Sequence, residues 1–172
     1  AYIIVRSDVL MVRAWRGAAE TGVYAVAAQI VTLLWMLPQV AGQVLFSDIS
    51  RSSDRVRATA RVTAASFWLL LGGCVLAGLL GYPAITLVFG DRFAGAYPLL
   101  LLLLPGALAL GTEITVVQFF NARGFPMVIF NYWLLAVALN LAINFIAIPT
   151  MGAYAAAISS SVCYALVNVL VI

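Results

Sequence analysis

Neither histidine nor lysine occurs in the 172 residues, and all nine cations are arginine. Without histidine the chain lacks the commonest general base and the commonest metal ligand. Cysteine is scarce as well. Cys74 and Cys163 sit apart inside apolar runs, with no CxxC spacing and no neighbouring ligand. They read as small packing residues, so no metal site is expected. Only 9% of residues are charged, the net charge is +3, and the arginines form no extended stripe. A disordered chain or a nucleic-acid binder would need more charge than this. No basic segment followed by a cleavage site is visible, and residue 1 is Ala. Both ends fall in apolar sequence, which is the expectation for a fragment of a longer membrane protein.

What fills the chain is hydrocarbon: 65% of the residues are hydrophobic and the mean hydropathy is +1.11. A soluble domain is roughly half apolar and about a quarter charged. This composition cannot cover a globule with polar surface, so a soluble enzyme is not expected and the bilayer is the natural solvent. A membrane helix needs about 20 mostly apolar residues. On that length the expected spans are approximately 1–13, 23–46, 62–81, 98–120, 127–148 and 153–172. The fold class is therefore an all-α polytopic transmembrane bundle of five to six helices, read as a single lobe over 1–172. Polar turns are expected at Arg13–Thr21 and Asn121–Pro126, with a break at Pro149 and Gly152. The apolar piece Ala84–Phe89 is too short to span, and reads as a helix tail or a re-entrant or interfacial segment. Turns this short make sequence neighbours antiparallel.

Orientation follows from arginine placement. The long polar stretch Ser47–Arg61 carries Arg51, Arg55, Arg57 and Arg61, and Arg123 falls on the same side. Arg13, Arg16 and Arg92 fall on the other. The four arginines of Ser47–Arg61 read as a topology anchor on anionic headgroups of the cytoplasmic leaflet.

Function in such a chain must be read from polar side chains at depth. Ala25, Gln29, Thr32, Met36, Gln39 and Gln43 share one helix face. Amides facing lipid would go unpaired at a cost of about a kcal/mol or more each, so the row should face other helices or water. Pro38 should kink this helix. Tyr154, Ala157, Ser161, Tyr164 and Asn168 share a face of the last span, and Asn140 and Asn144 share one with Trp133 and Val137. Such aromatic-plus-amide faces suit sugars, and they suit interhelical packing. Gly73, Ala77 and Gly81 form a close-packing ridge. Ionisable groups at depth are expensive and mark candidate sites. Glu113 lies roughly 10 Å inside its helix end and shares a stripe with Gly106 and Ala109. Arg6 and Asp8 point to different faces of the first helix, so each needs a partner elsewhere. An ion pair with another helix would satisfy them, or Arg6 would face an anionic substrate.

The order of motifs resembles a known family. Arg6-Ser-Asp8 precedes Gly17…Gly22-Val-Tyr24-Ala25, then Leu37-Pro38…Leu45-Phe46, the basic loop, Val88-Phe-Gly-Asp-Arg-Phe93, Leu104-Pro105-Gly106, Gly124-Phe-Pro126, Leu139-Asn140…Asn144 and Gly152-Ala153. Over nearly its whole length the chain is similar to the carboxyl-terminal lobe of the polysaccharide biosynthesis flippases, within the multidrug/oligosaccharidyl-lipid/polysaccharide exporter superfamily. The resemblance implies a longer protein of 12 to 14 helices in two lobes. It implies a transporter, not an enzyme, that flips undecaprenyl-pyrophosphate-linked oligosaccharide by alternating access in a bacterial inner membrane. Partners would be that lipid-linked oligosaccharide, the bilayer and other polysaccharide assembly proteins. No cofactor is implied beyond a coupling ion, Na⁺ or H⁺. Arg6 would be a lobe-interface cation. Asp8, Gln29, Gln39, Glu113, Asn140 and Asn144 would be substrate-cavity or coupling candidates. The alternative within the same fold is a cation-coupled multidrug exporter.

Overall fold

A segment in hydrocarbon has no water for its backbone and must close its own hydrogen-bond ladder. The computed structural model of the chain, which describes residues 2–49, 55–121 and 127–171, does so with helices alone. They are α1 (Tyr2–Ile49), α2 (Arg55–Phe89), α3 (Ala96–Asn121), α4 (Met127–Met151) and α5 (Ala153–Val171), with a 3₁₀ turn, Asp91–Phe93, between α2 and α3. All five contain a stretch long and apolar enough to cross a membrane. The chain is an all-α, multi-pass membrane protein.

The longest helix is two. Gly17 carries φ 81 and ψ −174 inside α1, a backbone conformation that a side chain would oppose. Asp8 and Tyr24 are sixteen residues apart in sequence, yet the Tyr24 hydroxyl lies 3.3 Å from Asp8 Oδ2. A straight helix would separate them by about 24 Å. The arms 2–16 and 18–49 therefore fold back on one another at Gly17. Thr21 Oγ1 donates to the Gly17 carbonyl at 2.6 Å, and the Arg16 guanidinium reaches Glu20 at 2.9 Å across the bend. The turn expected over Arg13–Thr21 is thus a single residue, with helix on both sides.

Other boundaries move for similar reasons. Arg55–Arg61 are helical and form the first turns of α2, so part of the expected basic loop is helix. Ala84–Phe89 is the continuation of α2 through Pro83, and no re-entrant piece exists there. α4 likewise runs through Pro149 to Met151. The reversal comes at Gly152, with φ 61. Pro38 too lies inside a helix, with no non-helical residue beside it; the one such residue in α1 is Gly17. Proline removes one backbone bond, which helices in a bundle tolerate where neighbours restore the polar contacts. The turn expected at Asn121–Pro126 falls, but for Asn121, outside the described residues.

Paired residues give the packing directions. Ser161 meets Leu102 and Asn168 meets Ala109, so α5 runs parallel to α3. Gly22 meets Phe93 and Trp35 meets Ala107, so the second arm of α1 also runs parallel to α3. Gly81 faces Leu100 and Gly111 faces Leu70, which makes α2 antiparallel to α3. Asn144 meets Ser159 across the Gly152 turn, so α4 and α5 form an antiparallel hairpin. α3 is the central rod, flanked by α1, α2 and α5, while α4 closes the far side against α5 and α1.

The glycines of α2 serve two neighbours: Gly73 abuts Leu34 of α1, and Gly81 abuts Leu100 of α3. The closest approach to another helix's backbone is elsewhere, at Gly106, where a methyl group would lie 2.5 Å from Ser161 Cα. Gly106→Ala gains at most about 1 kcal/mol of helix propensity but must push α3 off α5, at about 1–3 kcal/mol. The net expectation is a lower unfolding midpoint in detergent. An unchanged or raised midpoint would show that α5 is free to yield there.

Candidate functional site

Asp8 is buried without exposure in the middle of the bundle. No ion pair to it occurs among the described residues, where the Arg16–Glu20 pair stands alone. Its partners are neutral donors from three other helical arms. The Asn144 amide of α4 donates to Oδ1 at 2.6 Å. Oδ2 accepts the Tyr24 hydroxyl from the second arm of α1, at 3.3 Å, and the Ser160 hydroxyl of α5. Among the described side chains, hydrogen bonds from uncharged groups meet Asp8 where an interhelical ion pair was one expectation.

A second layer orients the first. Asn144 also donates to Asn140 Oδ1 at 3.1 Å, and Ser159 donates to Asn144 Oδ1 at 2.5 Å. The Asn140 amide points at both serine hydroxyls, Ser159 and Ser160, at 3.4 Å each. Two amides, two serines and one tyrosine carry seven polar hydrogens, and each has an acceptor inside the cluster. Asn140 and Asn144 are fully buried, and Ser159 and Ser160 are exposed by no more than 2%. The network is closed, and its dipoles converge on one carboxylate. About three turns on from Tyr24 along the arm, and one turn on from Ser160 along α5, Tyr164 stacks edge-on against Trp35, with ring centroids 5.6 Å apart.

The donor set limits the chemistry. Carboxylate, amide and hydroxyl oxygens suit hard cations or a proton, and softer metals want imidazole or thiolate. Among the described residues no group of three His, Cys, Asp or Glu could hold a metal ion.

Glu113 makes a second, separate buried acid, 1% exposed. Trp133 Nε1 donates to its Oε1 at 2.9 Å, while Oε2 has no partner among the described residues. Trp133 and Asn144 lie on the same helix, α4, and at 1.5 Å per residue their levels differ by roughly 16 Å. The two acids are distinct sites. Below the Gly106 contact, the polar residues of α5 bind α3 directly: Ser161 Oγ donates to the Leu102 carbonyl at 2.5 Å and Asn168 to that of Ala109 at 2.6 Å. That face of α5 is packing and not a sugar platform. Asn140 and Asn144 are likewise interior.

The structure does not bring Gln29, Gln39 or Glu113 to Asp8. Gln29 and Gln39 are exposed on the outside of the bundle, as are Thr32 and Met36, and Arg61 is exposed at the start of α2. Arg6 lies on the first arm of α1 and Arg55 and Arg57 on α2, but their side chains are outside the described set. So are Gln43 and Arg51. Tyr24, Ser159 and Ser160 are site residues that the sequence reading does not single out. Their signal was the hydroxyl run Ser159–Ser161, set in apolar sequence opposite an Asn140/Asn144 pair at i, i+4.

Comparison with known protein families, with characterised proteins and with solved structures gives no match to this chain.

Asn144→Leu strips Asp8 Oδ1 of its 2.6 Å amide donor and should cost about 2–3 kcal/mol. Asn168→Leu frees a carbonyl that the helix still satisfies and should cost under about 1 kcal/mol. Unfolding of both variants in mixed micelles would show the contrast. Equal losses would mean that the network has no special hold on Asp8.

Proposed function

We propose that the chain is one lobe of an ion-coupled membrane transporter of the polysaccharide flippase kind. It would carry lipid-linked oligosaccharide across a bacterial inner membrane and serve the machinery that assembles surface polysaccharide. One observation carries the coupling part of this reading. A carboxylate on the first arm of α1 is fully buried at membrane depth, ringed by oxygen-bearing side chains from the second arm, from α4 and from α5. A buried acid is costly, and a structural role would be served as well by an apolar residue. An acid that takes and releases a cation or a proton as the arms shift makes use of that cost. Completing the cluster requires all four arms at once, so occupancy would be linked to their arrangement.

The second support is the amide row of Gln29 and Gln39 on the exposed side of α1. Such a surface fits a hydrated cavity wall facing a second lobe, as repeat-built transporters have. The sequence resemblance supplies the cargo. The cation-coupled multidrug exporter remains the competing reading, because Asp8 and Glu113 are both buried acids without a cation partner among the described residues.

The test uses the intact protein in vesicles, with an imposed Na⁺ or H⁺ gradient and either lipid-linked oligosaccharide or a cationic dye as cargo. Asp8→Asn keeps the shape of the site and removes the charge. Gradient-driven movement of the oligosaccharide should fall to the level of protein-free vesicles, while the folded protein is retained. Undiminished transport by Asp8→Asn would remove Asp8 from coupling. Dye efflux with no oligosaccharide movement would decide for the exporter.

A further inference from the structure

At the end of the bundle where the Gly17 bend, the 3₁₀ turn and the Gly152 turn meet, there is a cleft of about 530 Å³. Its walls are Val23 of α1, Leu99 of α3, the Phe93 ring and Tyr154 of α5, with Glu20 and Arg92 as its two charged groups. The two charges differ. Both Glu20 oxygens are committed, Oε2 to the Arg16 guanidinium at 2.9 Å and Oε1 to the Ala153 backbone N–H at 2.7 Å. Arg92 is exposed and has no hydrogen bond or ion pair to any described residue. The other charged groups nearby, Arg13 and Asp91, are exposed and do not line the cleft.

We propose that this cleft holds one anionic phospholipid, with its phosphate on Arg92. Three features point to a lipid and not to a free anion. The turns that join membrane spans lie at headgroup level, where a guanidinium meets phosphate. A phosphate ion would leave most of the volume empty against apolar walls. Arg92 and Phe93 of the cleft follow directly on the end of α2, where the Phe93 ring meets Phe89 and Leu87 and Val88 are 89% and 71% exposed, an apolar flank down which acyl chains would run. Among the described residues that line the cleft, Arg92 is the one cation and Glu20 is already neutralised, so the charge balance selects an anionic headgroup over a zwitterionic one.

The site would tie a bilayer component to the junction that fixes the fold. Glu20 caps α5 at Ala153, and a methyl at Gly152 would lie 2.0 Å from the same carboxylate. A lipid seated there touches the first arm bend, the α2–α3 connection and the α4–α5 turn together.

Native mass spectrometry of the intact protein, released from micelles containing phosphatidylglycerol or phosphatidylcholine, tests the proposal. One retained phosphatidylglycerol is expected, preferred over phosphatidylcholine by about fivefold, the weight of one arginine near a headgroup. Arg92→Gln should erase that preference, and Arg92→Lys should keep most of it. Arg13→Gln should leave it unchanged, and Phe93→Ala should weaken retention of both lipids. Equal retention of the two lipids by the unmodified protein would overturn the proposal, as would an Arg92→Gln variant that keeps the preference. Displacement of the lipid by millimolar inorganic phosphate would overturn it in another way, by showing a site for the free anion.

Discussion

A carboxylate without water has to be solvated by the protein itself, and the placement of four helical arms follows from Asp8. Removing a charge from water costs several kcal/mol even after relaxation. A hydrogen bond to a charged group returns about 1.5–3 kcal/mol. Three donors therefore come close to balancing the burial, and two would not. Those three come from Tyr24, Asn144 and Ser160. None reaches Asp8 unless α1 folds at Gly17 and the α4–α5 hairpin closes at Gly152. Glu20 joins the two turns, because the residue just past the first bend caps the helix that begins after the second. The polar centre and the polar end of the bundle are thus one assembly condition met twice.

α3 is the other half of the framework, and it works through its backbone. Pro105 has no N–H, so the turn before it has unfilled acceptor capacity. Side chains of the flanking helices bind other carbonyls of α3: Ser161 binds that of Leu102, Trp35 that of Ala107 at 2.9 Å, and Asn168 that of Ala109. Gly106 lets α5 come close enough for this. Association in lipid has no water-driven term between apolar helices. Close approach and carbonyl acceptance stand in its place, which explains why α3 can be nearly uniform in side-chain polarity and still have fixed neighbours on three sides.

Helix content and membrane class could be read from composition, because hydrocarbon permits one way to satisfy a backbone. Five of the six expected spans keep their centres in the structure's helices, and the sixth, 1–13, survives as the first arm of α1. The errors fall at glycine and proline. Pro83 and Pro149 look like stops in a sequence but are carried inside helices, while the reversals sit at Gly17 and Gly152, where φ is positive. Proline costs one bond, which a packed helix absorbs; a chain reversal needs a backbone conformation that only glycine adopts freely. Asp8, Asn140 and Asn144 stand out by type and depth. What joins them is less legible, because Tyr24, Ser159 and Ser160 are ordinary residues in apolar helices until the hairpins bring them opposite a carboxylate. Gln29 and Gln39 show the reverse case, conspicuous in sequence and absent from the network.

That difference says which side of the bundle meets hydrocarbon. Thr32 is exposed beside Gln29, but its hydroxyl returns to the Ala28 carbonyl at 2.8 Å and needs nothing from outside. A glutamine amide has two donors and an acceptor on a side chain too long for the same recourse. Among the described residues Gln29 and Gln39 have no such bond. In hydrocarbon each would cost about a kcal/mol or more, so this flank of α1 belongs against water or against more protein. The opposite case is the middle of α2, where every exposed residue from 64 to 80 is apolar, Trp68, Leu69, Val75, Leu76, Leu79 and Leu80 among them. Lipid accepts that surface at no cost. The bundle therefore carries a lipid face on α2 and a face unsuited to lipid on the second arm of α1. A bundle that needed nothing beyond the bilayer would have no reason to maintain the second.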